Sequence, residues 1–249
     1  MFPILISIPH GGWKIPPEVK DLVVLSERDL FDDSDPFTAD IYDIGDMAVS
    51  VVKTEIARAF VDPNRAPDDL PPKNPDGVVK TKTCYGVQIY REPLDEEMIK
   101  KLLDRYYFPY HKKIQESLKN PEIKIAFDCH SMASVAPEIS PDIGMERPMI
   151  CLGNVKGQSC DYETTEKLRE AFIKAFNLPE NEVTVNRPFS GGYITRRYGN
   201  KPVPWIQIEL NRKLYLSEPW FDRESLKVKK ERLDQLKNMF IKTLELFFS

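Results

Sequence analysis

Short apolar runs alternate along the chain with charged, amphipathic stretches, and this alternation predicts an α/β fold. Residues 4–8 read as a first buried strand, and Ala48–Lys53 and residues 59–61 as two weaker ones. Residues 62–76 are too rich in proline for regular structure and read as a long loop. Helical periodicity runs over 94–118 and breaks or restarts near Pro109. Further strands are expected at 123–127, 148–152, Val183–Val185 and 205–210. A helix is expected over Tyr162–Phe176, stopped by Asn177-Leu178-Pro179, and a long amphipathic helix from 223 to the C-terminus. The segments on either side of the proline-rich loop look like parts of one sheet. The expectation is therefore a single α/β domain over 1–249.

Composition narrows the picture. With 41% hydrophobic and 30% charged residues the chain is of ordinary globular type, and no apolar run reaches the roughly 20 residues of a membrane span. The N-terminus has no basic start of a secretory signal, so a cytoplasmic location is expected. A net charge of −4 offers no general attraction to nucleic acid. The four cysteines, at 84, 129, 151 and 160, show no CxxC spacing, which argues against a thiolate metal site; Cys129 reads as a small buried hydrophobe.

The chemistry then rests on three histidines. His10 follows an apolar run and precedes Gly11-Gly12; His130 follows residues 123–127 and precedes Ser131. In open α/β sheets ligands bind beyond the carboxyl ends of strands, so both imidazoles can share one site. Two imidazoles, a carboxylate and a water make the usual hydrolytic zinc centre; the plainer reading is that each His caps a strand end through a backbone bond. His111, among aromatics, reads as structural. The third ligand is expected from Asp32-Asp33-Ser34-Asp35, and spacing alone does not choose among the three aspartates. Asn64-Arg65 can hold a carboxylate, against the plainer reading of a surface turn. The paired glycines Gly191-Gly192 allow either a close approach to a ligand or a tight turn. Glu209 in an apolar strand is costly unless paired, for instance with Arg212, or working as a general base.

Taken in order, Ile8-Pro9-His10-Gly11-Gly12, Asp33-Ser34-Asp35, Arg58 with Asp62-Pro63-Asn64-Arg65, Phe127-Asp128-Cys129-His130-Ser131, Pro188 through Gly199, and Gln207-Ile208-Glu209-Leu210-Asn211-Arg212 resemble the N-formylglutamate amidohydrolase family over nearly the whole chain. The resemblance implies a phosphorylase/hydrolase-like fold similar to zinc carboxypeptidases and aspartoacylases, a mixed, twisted β-sheet with helices on both faces. It implies one Zn2+ per chain on His10, Asp35 and His130, with Glu209 as general base. Asn64 and Arg65, helped by Arg187 or Arg196, would hold the substrate carboxylates. The expected partner is a small acidic N-acyl amino acid, with no nucleic acid or membrane, and the protein a monomer or small homo-oligomer. Another zinc hydrolase of this fold, acting on a peptide or a different N-acyl amino acid, or a non-catalytic binding protein, are the competing expectations.

Overall fold

In the three strands that carry the expected site, side chains alternate between two faces, and both faces are buried. Ile4, Ile6 and Ile8, then Ile125, Phe127 and Cys129, then Ile206, Ile208 and Leu210 all enter one apolar cluster. Leu5, Ala126 and Trp205, which point the other way, enter a second. Burial on both sides is what near-continuous apolar runs in parallel strands signify. The computed structural model, which describes residues 1–137 and 143–249, builds these runs into one six-stranded sheet of order β2-β1-β3-β6-β4-β5. Its strands are β1 (Phe2–Ile8), β2 (Ala48–Lys53), β3 (Ile125–Met132), β4 (Ile150–Gly153), β5 (Val183–Val185) and β6 (Trp205–Asn211). The β1–β2, β1–β3, β3–β6 and β4–β5 pairs are parallel, and β4 meets β6 antiparallel, so the sheet is mixed.

Helices cover both faces. On the first lie α2 (Thr38–Tyr42), α5 (Tyr162–Phe176) and α7 (Lys230–Phe248), whose Tyr42, Phe172 and Phe240 are fully buried. On the second lie α4 (Phe108–Ser117) and α6 (Tyr193–Tyr198), contributing Tyr110, Ile114, Ile194 and Tyr198. A third apolar cluster joins α1 (Glu27–Asp33), α3 (Glu96–Leu102) and the irregular chain around Phe60 and Val78. Local chemistry sets the helix ends: Ser26 and Asp29 form a capping box on α1, and the Asp161 side chain accepts from the Thr164 N–H at α5.

Several expectations need correction. Residues 58–60 form a turn, not a strand, because the chain bends there into the loop that carries Asp62. β3 does not stop at residue 127: pairing with β6 carries it through His130 to Met132. The helical stretch expected over 94–118 does restart near Pro109, where α4 opens; what the periodicity does not foresee is the π-helical turn, Leu103–Tyr107, that joins α3 to it. The C-terminal helix begins at Lys230, after a two-stranded ribbon of β7 (Phe221–Asp222) and β8 (Lys227–Val228). Among the described residues, no helix is long and apolar enough to cross a membrane.

Candidate metal centre and hydrolytic site

Parallel pairing places the C-terminal halves of β1, β3 and β6 side by side. Asp128 stands level with Gln207 and His130 with Glu209, and period-two alternation turns all four away from the Ile206–Ile208–Leu210 face. Ser7 of β1 donates to Asp128 Oδ1 on this same side. His10 lies just beyond β1, and the Asp35 N–H donates to its carbonyl, which draws the α1–α2 connection over the strand ends. The result is a cleft of about 640 Å³ lined by His10, Asp35, His130 and Glu209.

At the cleft floor the ligand atoms of His10, Asp35 and His130 lie within 4.8 Å of one another. The two Nδ1 atoms are 3.1 Å apart, and Asp35 Oδ2 is 3.3 Å from the first and 3.1 Å from the second. The far side of each ring meets a carboxylate. His10 Nε2 is 2.7 Å from Asp62 Oδ1, and His130 Nε2 is 3.2 Å from Asp128 Oδ2. A carboxylate only accepts, so each Nε2 carries hydrogen and donates, which leaves two Nδ1 lone pairs aimed at one another. Two lone pairs and a carboxylate oxygen converging on one point repel unless a cation sits among them. The donor set therefore fits a divalent metal, with Asp62 and Asp128 fixing the tautomers.

The electrostatics show that this point attracts positive charge. Burial opposes a charge on His130, but Asp128 and Asp35 outweigh burial and hold it well above the usual histidine range, so that without a metal a proton on Nδ1 takes the cation's place. Burial would raise the Asp35 carboxyl, yet His10, His130 and Arg212 hold it well below the usual range. Arg212 is committed to this task, donating to Asp35 Oδ1 at 2.9 Å and to Ser131 Oγ at 3.1 Å, and to the carbonyls of Asp32 and Ser34. The pair with Arg212, the plainer reading of Glu209, is thus not formed. Glu209 instead accepts from Gln207 Nε2 at 2.7 Å. Burial, reinforced by the charges of Asp35 and Asp128 and eased by His130 and Gln207, pushes its carboxyl up to about 7, the range of a base working at neutral pH.

The remaining candidates divide. Asn64 lines the cleft, and its Oδ1 is already committed, accepting from the Ile194 N–H at 2.8 Å. Arg65 lines the cleft with one terminal nitrogen 2.6 Å from Asp76 Oδ2. Asp76 is in turn 2.6 Å from the fully buried Lys80, which also meets Asp33, so the proline-rich loop is laced by ion pairs rather than free. Arg196 stands at the cleft, its Nε donating to the Gly191 carbonyl. Arg187 is not brought to the cleft. Thr184 Oγ1 donates to its carbonyl beside β5, and its side chain lines a separate depression with Lys156 and Asn186. Asp33 and Asp32 line the cleft outside the His10–Asp35–His130 triangle. His111 is structural, as expected: Nε2–H donates to the Pro63 carbonyl and Nδ1 accepts from Tyr198. Asp62, Asp128, Gln207 and the role of Arg212 escape the sequence reading. The i, i+2 spacing of Asp128–His130 and of Gln207–Glu209 within strands was the available signal, since it puts each pair on one face.

A mixed α/β sheet with imidazoles and carboxylates gathered at its strand ends is the framework of a hydrolytic enzyme with a metal-type donor set. A sequence model of the N-formylglutamate amidohydrolase family matches residues 2–216, and the chain belongs to that family. It is 31% identical over 238 residues to the N-formylglutamate deformylase of Pseudomonas putida, covering 90% of this chain and 86% of the relative. It is 30% identical to that of Pseudomonas aeruginosa, covering 87% and 83%. The fold matches the crystal structure of N-formylglutamate amidohydrolase from Ralstonia eutropha with a TM-score of 0.79 at 19% identity, over 99% of this chain and 93% of the other. A gene product of Agrobacterium tumefaciens matches at 0.65 and 16%, over 100% and 91%.

Proposed function

We propose that this protein hydrolyses the formyl amide of N-formylglutamate, or of a closely similar acidic N-acyl amino acid, with one zinc ion on His10, Asp35 and His130. The observation that carries the reading is the convergence of both Nδ1 atoms on Asp35, level with the buried Glu209 one strand away. Its relatives' activity supports the choice of substrate. Bound there, the metal would polarise the formyl carbonyl and acidify a water.

The chain's own groups do the rest. Glu209 takes a proton from the attacking water as the oxygen bonds to the formyl carbon, then returns it to the departing amine as the C–N bond breaks. Arg58, in the cleft lining beside Asp62, supplies positive charge for the oxyanion. Arg65 and Arg196 offer guanidinium edges to the substrate carboxylates, while Asn64 holds the loop that carries Gly192. Formate and the free amino acid leave.

The test combines metal analysis of the purified protein with assays on N-formylglutamate, N-formylglutamine and N-acetylglutamate, before and after chelation. The expected result is about one zinc per chain, turnover lost on chelation, and preference for N-formylglutamate. A metal-replete protein that turns over none of the three refutes the assignment, and a preference for N-acetylglutamate moves it to another acyl group.

A further inference from the structure

Gln207 has no role in the scheme above, yet it is buried to 4% exposure, lines the cleft, and shares a face of β6 with Glu209. Its two ends are fixed by different partners. The backbone N–H of Gly192 donates to Oε1, and Nε2 donates to Glu209 Oε1 at 2.7 Å. The orientation of an amide is ambiguous by shape, but here chemistry decides it. A backbone N–H can only donate, so the oxygen must face Gly192 and the NH2 must face the carboxylate.

The Gly192 N–H is itself held. Asn64 Oδ1 accepts from Ile194 N, and a Cβ at Gly192 would lie 2.3 Å from Asn64 Nδ2, so any side chain there must displace the Asn64 amide. A chain of contacts therefore runs from Asn64 through the Gly192 backbone and Gln207 to Glu209. Its effect on Glu209 is directional. One carboxylate oxygen is occupied by the Gln207 amide, which also holds the side chain in one rotamer, so the other is the oxygen presented for proton transfer.

We infer that Gln207 is a positioning residue for Glu209, fixing which carboxylate oxygen receives the proton and tying the base to the Gly191–Gly192 loop. This rests on Glu209 being the base.

The experiment compares Gln207→Met, Gln207→Glu and Glu209→Gln in the zinc-loaded full chain, reading kcat, KM, zinc content and Tm. Gln207→Met keeps the length and removes both bonds. Gln207→Glu, read at a pH where both carboxyls are ionised, keeps an acceptor for the Gly192 N–H and removes the donor to Glu209, placing two carboxylates against each other. The expected result is that both Gln207 variants lose kcat by roughly 10- to 100-fold, as for a hydrogen bond to a charged group, with KM changed less than about threefold and zinc retained. Wild-type kcat in Gln207→Glu, with or without a loss in Gln207→Met, overturns the inference, because the loop contact alone would then suffice. Loss of zinc or a KM rise equal to the kcat loss overturns it too, since Gln207 would then serve the metal or the substrate. Undiminished turnover in Glu209→Gln is a separate failure, of the base assignment itself. Where Gln207→Met fails to fold, Gln207→Glu alone decides.

Discussion

At the scale of single residues, the three histidines occupy two different environments. His10 and His130 turn Nδ1 toward a shared carboxylate, whereas both His111 nitrogens are satisfied by Pro63 and Tyr198. His130→Ala should therefore remove most of the bound zinc measured by elemental analysis, and His111→Ala should leave it; full occupancy in the first variant contradicts the site. The arginines give a second residue-scale expectation. If Arg65 or Arg196 holds a carboxylate, replacing it by Ala should lower kcat/KM for N-formylglutamate by about 10- to 100-fold and for N-formylglutamine much less, with zinc unchanged. Equal losses on both substrates would assign that arginine to the fold, where the bond from Arg65 to Asp76 already gives it a place.

At the scale of elements, the central strands, α5 and the proline-rich loop were legible because their signals are local: apolar runs, a cap at Asp161, prolines at short intervals. The strand misread at 59–61 shows the limit. Three apolar residues satisfy a strand pattern, but Phe60 and Val61 are buried in a turn beneath α1 and α3, a burial that only tertiary packing reveals. Of the site, His10, His130 and Glu209 stood out by their places on strands. Asp35 could be chosen from its neighbours only through the family resemblance. The partnership of Arg212 with Asp35 spans 177 residues, and no local pattern encodes it. Gly192 yields a prediction at this scale. Gly192→Ala puts a methyl into Asn64, which must withdraw from Ile194. Turnover should fall at least about tenfold while Tm changes little, because the contact is local to the loop; unchanged turnover would mean the loop is not part of the machinery.

At the scale of the molecule, buried ionisable groups set the response to acid. Burial pushes His111 down to about 4 from its ordinary 6.5. Between those values the unfolded chain binds a proton that the native protein does not, so stability rises with pH through this window and is lost as pH falls from 6.5 towards 4. The loss is complete only below about pH 4, where it reaches up to about 3 kcal/mol. In His111→Gln that segment of the Tm-against-pH curve should flatten; a slope equal to the wild type's would show that other groups carry it.

The strand order has a consequence for how the protein is made. β6 lies between β3 and β4, so the last long strand to leave the ribosome is inserted at the middle of the sheet. Until residue 211 has emerged, β3 lacks its inner neighbour and β4 has only β5 to pair with. The same late segment carries Glu209 and the arginine that steadies Asp35. A nascent chain thus displays both imidazoles and Asp35 long before β6 can bring Glu209 level with His130.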